Sequence, residues 1–411
     1  MLTSSSDSLY SALDEFVATR LSQWCRWRQQ IHRSPELSWE ERETTEFVRQ
    51  RITGMGLDWV TGPRNLGGTA DIITTAPARG CIGLRGDMDA IPVAEVNDVP
   101  YRSQRPGIMH ACGHDVHTTV ALAVCETLQH LKARECLPGP LHVRAVFQPA
   151  EEVAQGAREM MEAGNLKGVD AILAMHVDPS RATGTIGIRN GKQTASCDEL
   201  LFRIKGTGGH GARPHETADT ILAAVNLVQT AHGLIPRIVD ARDDTTLSFC
   251  RISGGHSANV IPVNVEVQGT LRTFSEASRK VILERLERLA TSIADLFAVE
   301  VDFRITTSIP SVNNSPPLNR LVAGVAGQLL GPESVGEAAR SMGGEDFACY
   351  QQTIPGALIR IGSAGGQETG YHLHSPRFDV DPAVIATACR LLTASLIGWF
   401  AQPEAWSGNP A

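Results

Sequence analysis

The sequence predicts an α/β protein with a mostly parallel sheet and an inserted α+β domain. Three observations carry that expectation. Short apolar runs alternate with helical stretches over the first 190 or so residues and return near the end. In the middle of the chain the pattern changes to strict alternation. The chain has 411 residues, 42% of them hydrophobic, which is more than one core usually holds, so two domains are expected.

The first helix is expected over residues 9 to 32. Leu9, Leu13, Phe16, Val17, Leu21, Trp24 and Ile31 fall at helical spacing, and Ser34-Pro35 stops the helix. A second helix is expected over about 40 to 55, ending at Gly54 and Gly56. The period then shortens. The runs at 81–85, 141–147 and 171–175 read as buried strands, with helices at about 115–132 and 157–163 between them. Such alternation implies βαβ units with both sheet faces covered. Residues 199–205, 246–252 and 264–272 alternate polar and apolar instead, as strands with one wet face do. Helices are expected near 218–232 and 278–296. We therefore expect one domain built from 1–191 and 306–411, and an insert over 192–305 with four strands and two helices. Proline- and asparagine-rich sequence at 310–317 reads as the return linker. A buried strand at 358–362 and a helix at about 382–399 complete the first domain.

Composition narrows the function. The net charge is −8 and no Lys/Arg stripe is present, which argues against a nucleic-acid partner. Residues 1–8 lack a basic segment followed by an apolar run, so they do not read as a secretory signal. No stretch approaches membrane-spanning length on inspection, and no membrane partner is expected. Nine scattered cysteines fit reduced thiols and a cytoplasmic location.

Several short motifs carry chemistry. His110-Ala111-Cys112-Gly113-His114-Asp115 sits just before a helical stretch, where the helix dipole and any metal favour a thiolate. Cys-x-His is able to bring sulfur and imidazole to one metal pair, and the same residues also fit an ordinary loop. Gln148-Pro149-Ala150-Glu151-Glu152 follows a buried strand. Adjacent carboxylates there point apart, one toward a metal and one toward its water, though the pair also suits an acidic helix start. His176 ends the third strand, and His372-Leu373-His374 follows the last. Asp87, Asp89, Cys112, His114, Glu151, Glu152, His176 and His374 thus gather at the carboxyl ends of one inferred sheet, where α/β proteins bind ligands. In the insert, Gly208-Gly209-His210-Gly211 exposes a histidine. Gly343-Gly344-Glu345-Asp346-Phe347 reads as a turn and helix cap.

Taken together, these motifs resemble the M20 metallopeptidase family, nearest its Cys-containing branch of aminoacylases, hippurate hydrolases and indole-acetyl-amino-acid hydrolases. The resemblance runs through His32-Arg33-Ser34-Pro35-Glu36-Leu37, residues 84–92, 110–115, 147–152 and 209–214. Asn259-Val260-Ile261-Pro262, residues 343–347 and His374-Ser375-Pro376 complete it. Other branches carry His where this chain has Asp87, and Asp at the bridging place. The resemblance implies a zinc-peptidase-like catalytic domain and a ferredoxin-like lid and dimerisation domain. It implies two divalent metals, zinc or manganese before cobalt or nickel. Cys112 would bridge them, with His114 and His176 on one and Glu152 and His374 on the other. Glu151 would be the general base and Asp89 a supporting carboxylate. His210 would reach a partner's site in a homodimer or higher oligomer and stabilise the oxyanion. Asn259 and Arg272 would hold substrate, while His256 has no counterpart in the pattern and reads as solvent-facing.

The expected activity is hydrolysis of the amide bond of N-acyl amino acids. A dipeptidase or carboxypeptidase with the same centre is the alternative. A non-catalytic metal-dependent binding protein and a hydrolase using Cys112 as nucleophile rank lower.

Overall fold

The structure is a computed structural model that describes residues 5–74 and 78–401. Residues 1–4, half of the stretch read for a secretory signal, lie outside the described residues. The helices are α1 (Ser5–Arg33), α2 (Arg42–Gly54), α3 (His114–Ala133), α4 (Gly156–Glu162), α5 (Thr220–Ile238), α6 (Glu276–Phe297), α7 (Pro316–Leu330), α8 (Phe347–Tyr350) and α9 (Ala383–Ala401). The strands are β1 (Val60–Thr61), β2 (Gly68–Ile73), β3 (Ile82–Asp87), β4 (His142–Gln148), β5 (Ala171–Ala182), β6 (Ile186–Ile188), β7 (Gly191–Lys192) and β8 (Ser196–Lys205). They continue with β9 (Gly209–His210), β10 (Thr245–Ser253), β11 (Val260–Ile261), β12 (Asn264–Thr273), β13 (Glu300–Ile309), β14 (Asn313–Asn314), β15 (Val335–Glu337) and β16 (Gly356–Ala364).

Contacts divide the chain into two compact units. One comprises residues up to Gln193, Asn313–Ala339 and the residues from Asp346 onward; the other is Thr194–Val312 with Arg340–Glu345. The first unit holds a sheet in the order β1-β2-β4-β3-β5-β16-β6-β15. Its centre is parallel: β3 pairs in parallel with β4 and β5, and β5 with β16. Every residue of β3 is buried, including Arg85 and Asp87, which pair with each other inside the protein. One apolar core joins Leu13, Trp24, Leu84, Leu122, Leu173, Ile359 and Leu392, from helices α1, α3 and α9 and the strands they cover.

The second unit is a four-stranded antiparallel sheet, β10-β12-β8-β13, with α5 and α6 sharing its core. Phe202, Leu227, Val267, Leu271, Ile282 and Leu286 are buried there. Strand β13 alternates half-buried and exposed along its first half, the pattern of a sheet wet on one side.

Strand β2, which the sequence did not mark, pairs antiparallel with β4 at one edge of the mostly parallel sheet. Two sequence expectations change. The segment read as a linker opens α7, because Pro316 and Pro317 occupy the first helical turn, where a missing N–H costs nothing. Helix α9 is long and apolar enough to cross a membrane by length and composition, contrary to the sequence expectation, but 72% of its most apolar stretch is buried inside the protein. Its all-round hydrophobicity is that of a core helix.

Candidate metal centre

The centre lies in the first unit, where the ends of β3 and β4 and the middle of β5 meet the start of α3; β5 runs on to Ala182, so His176 does not end its strand as the sequence suggested. Gly113 caps α3 in the left-handed region at φ 83. A Cβ there would sit 2.4 Å from Val177 Cγ2, so only glycine allows the Cys112-Gly113-His114 turn. That turn puts Cys112 Sγ 3.5 Å from His176 Nε2. The loop carrying His374 is tied to it by the His374 N–H, which donates to the Ala111 carbonyl at 2.8 Å. His374 itself stands at φ 66, a conformation uncommon outside glycine and frequent at functional sites.

Two sets of donors converge and share Cys112. Candidate ligand atoms of Cys112, His114 and His176 lie within 4.8 Å of one another, and so do those of Cys112, Glu152 and His374. All five expected metal ligands are therefore brought together. His374 is the exposed member, at 54% for its side chain, with Nε2 3.6 Å from Glu152 Oε1.

The surrounding hydrogen bonds leave the right atoms bare. His176 Nδ1 donates to the Val177 carbonyl at 2.8 Å, which turns an unprotonated Nε2 toward Cys112. His114 Nδ1 donates to Asp89 Oδ1 at 3.1 Å. Its Nε2 is buried without a hydrogen-bond partner, as is Glu152 Oε1. Orphaned buried polar atoms are costly, and histidines with one nitrogen tethered and the other free are the usual metal ligands. The residues present fit a pair of divalent cations. Burial drives the His176 pKa well below 6.5, with the Arg360 charge adding to the effect, so the ring is neutral and ready to ligate.

Of the two influences expected to favour a Cys112 thiolate, the helix dipole and a metal, the helix does not suffice by itself. Cys112 precedes the N-cap, and burial followed by the Glu152 charge pushes its thiol well above 9. The sulfur loses its proton only to a cation. A further donor group, Asp87, His114 and His117, is not a metal site by the same logic. His117 Nδ1 bonds Asp87 Oδ1 at 2.6 Å and its Nε2 accepts the Val177 N–H at 3.0 Å. Both ring nitrogens are in use.

Asp89 supports the centre through three bonds. It accepts from His114, from Ser38 Oγ at 2.6 Å and from the Glu152 N–H at 3.0 Å. Burial opposes its charge, but these bonds hold its pKa below the usual carboxylate value. Glu151 stands beside His114, with Oε2 3.9 Å from Nε2, and its Oε1 accepts the Asp346 N–H at 3.4 Å. Asp346 does not cap α8 with its side chain, as the sequence suggested. Its carboxylate instead accepts from Gln148 Nε2 at 2.8 Å, the Ala157 N–H at 2.9 Å and Arg85 Nη2 at 3.1 Å.

Sequence reasoning missed Glu41. Its buried Oε1 accepts the N–H of Ala150 at 2.7 Å, and Ala150 stands at φ 53, so Glu41 fixes the turn that presents Glu151 and Glu152. Burial and nearby Asp89 push its pKa up to about 8. Nothing in the sequence around Glu41 marks it, because its partner is a backbone group. His117 was legible in principle, three residues after His114 and so on the same helix face.

In the second unit, His210 is exposed on β9, paired with Val260 of β11. Its Nδ1 accepts the Ala212 N–H at 3.0 Å, which makes Nε2 the proton-bearing nitrogen. Exposed Asn259 is adjacent, its carbonyl accepting the Gly211 N–H at 2.8 Å. Arg272, half-buried on β12, donates to Thr270 Oγ1 at 3.1 Å and to the Met342 carbonyl at 3.2 Å. His256 is exposed.

The family model described as Peptidase family M20/M25/M40 matches residues 83–397. An N-acetylcysteine deacetylase of Bacillus subtilis (strain 168) is 36% identical over 375 residues, 91% of this chain and 95% of its own. A Bacillus subtilis protein, YXEP, solved as a dinuclear metal binding peptidase from the M20 family, superposes with a TM-score of 0.79 at 32% identity, covering 93% of this chain and 99% of that one. A Rhodococcus jostii (strain RHA1) protein bearing the name glutamate–cysteine ligase 2-3 is 40% identical over 374 residues, 90% of this chain. The chain spans about half of that relative's length, 46%.

Proposed function

The chain belongs to peptidase family M20/M25/M40, and we propose that it hydrolyses the amide bond of N-acyl amino acids. It is a metal-dependent amidohydrolase acting on carbon–nitrogen bonds. The observation that carries the finer reading is the pair of donor groups sharing Cys112. Cys112, His114 and His176 would hold one divalent cation, and Cys112, Glu152 and His374 the other. Thiolate with imidazole favours zinc, and the carboxylate admits manganese. When bound, such cations acidify a water and polarise the acyl carbonyl.

The chain's own residues do the rest. Glu151 is the general base: it takes the proton of the attacking water and returns it to the leaving amine. Asp346 and the Glu41-held turn keep its carboxylate in place. Asp89 fixes the His114 ring in the tautomer that leaves Nε2 bare. His210, with its proton on Nε2, serves as an oxyanion donor, supplied across a homodimer, and Asn259 and Arg272 help hold the substrate. The N-acetylcysteine deacetylase among the relatives supports an acyl amino acid as substrate. Nine free cysteines suit a reducing compartment, and we infer a cytoplasmic location.

The Glu151→Gln variant tests the base. It should retain two metals per chain while kcat falls by roughly 10²–10⁴-fold, read by steady-state kinetics beside metal analysis. Retained turnover would sink the assignment. Chelation separates this chemistry from nucleophilic attack by Cys112. EDTA should abolish activity and zinc or manganese restore it; activity that survives full metal removal would point to the thiol.

A further inference from the structure

Strand β16 is buried along its interior except at one residue, Arg360. Ala357, Ile359 and Ile361 turn into the main core, so Leu358 and Arg360 face the other side of the sheet. Arg360 is the parallel register partner of His176. Such partners present side chains to the same face, with strands about 4.8 Å apart. A permanently charged guanidinium therefore shares a face with a residue of the metal-binding set, one strand away.

That charge is uncompensated. With the Gln193 amide nitrogen set toward the Leu358 carbonyl at 3.0 Å, its oxygen accepts from Arg360 Nε at 3.2 Å. Among the described residues Arg360 has no carboxylate partner, and its two terminal nitrogens make no hydrogen bond. Asp178, two residues beyond His176 on β5, is already paired with Arg181 at 3.2 Å. Arg181 in turn lies against Gly187, the other register partner of Arg360. A half-buried cation beside a second guanidinium is unfavourable unless an anion meets it. The free edge of a guanidinium, two parallel N–H groups, matches a carboxylate.

We propose that Arg360 is a specificity-determining residue that binds a carboxylate of the substrate through its free edge. The inference rests on the amidohydrolase reading above and deepens it: the preferred amides are anionic. The carboxylate belongs either to the amino acid or to the acyl group, and the test distinguishes them.

Wild type, Arg360→Gln and Arg360→Lys are compared on N-acetyl-L-methionine, N-succinyl-L-methionine and the uncharged N-acetyl-L-methioninamide, with metal content measured throughout. The Gln variant should raise KM about tenfold for a carboxylate-bearing substrate, the scale of a lost charged hydrogen bond. The amide should be unaffected, and Lys should recover most of the loss. A rise on both acids identifies the amino acid carboxylate, and a rise on the succinyl substrate alone identifies the acyl side. Unchanged KM on both acids overturns the proposal, and so does an equal loss on all three substrates. Turnover by the wild type tests the amidohydrolase reading separately, since it does not depend on Arg360.

Discussion

At the scale of single residues, the centre divides into groups that offer atoms and groups that aim them. Asp89 belongs to the second kind, since it holds His114 through Nδ1 and Glu152 through its backbone N–H. Asp89→Asn keeps the shape but offers an amide where a carboxylate accepted three bonds. Support of this kind is worth about 10–100-fold in metal affinity. We expect that loss in a competitive zinc titration, with the fold retained by circular dichroism; unaltered affinity would remove Asp89 from the supporting role. The difference between offering and aiming also explains what the sequence revealed. Cys112, His114, Glu151 and Glu152 stand in compact motifs whose residue types announce chemistry. Glu41 acts on a backbone N–H group far along the chain, at Ala150. A backbone partner leaves no signature in residue identity.

At the scale of elements, α3 is pinned to α1 by a buried charge cluster directly behind the metal ligands. Arg28 Nε donates to Asp115 Oδ2 at 2.6 Å, His32 Nδ1 meets the same oxygen at 2.7 Å, and His32 Nε2 meets Glu95 at 3.3 Å. Burial and the neighbouring Arg28 oppose a charged His32, yet the bonds to Asp115 and Glu95 more than offset them and raise its pKa above 6.5. The stability this adds is fully present below pH 6.5 and is lost as the pH rises through the raised value. Asp115 behaves oppositely: burial raises its pKa, but Arg28 and His32 bring it far below the usual 3.8. Its contribution is lost only in strong acid. His32→Gln should therefore cost about 3 kcal/mol near pH 5.5, and the gap from wild type should narrow as pH increases above 7. Urea unfolding across that range checks the direction. A gap that widens with pH would mean His32 is buried neutral. Elements were legible where burial on both faces or helical periodicity marked them, as in β3 and α1. Strand β2 was hidden because Gly68, Thr69 and Asp71 break the apolar run, while its register with β4 supplies the pairing. Helix α7 was hidden because prolines that usually end helices here begin one.

At the scale of the whole molecule, the second unit presents an apolar surface that its own core does not use. Ile221, Leu222 and Val225 on α5 are 46–50% exposed, and Ile252, Val260 and Val263 are 45–55% exposed. The helix start is fastened to that second segment by Thr220 Oγ1, which donates to the Pro262 carbonyl at 2.8 Å. Gly255 and Pro262 lie near Ile221. Strand β10 is also an edge of its sheet, so among the described residues its outer backbone groups have no strand partner. Monomers rarely leave large apolar surface open, and an open edge beside it is a template for a second strand. The homodimer proposed above would use both features in a symmetric interface. Ile221→Glu with Val225→Glu places two charges at i and i+4 on that face without touching the buried positions Ala223, Ala224 and Leu227 of α5. Light scattering should show the wild type as a dimer or larger and the double variant as a monomer. If His210 acts across the interface, the monomer should also lose about 10²–10³-fold in kcat, the usual cost of removing an oxyanion donor, while retaining its metal. A monomeric variant with full activity would place the oxyanion donor within a single chain, and a wild type that is already monomeric would return the patch to some other partner.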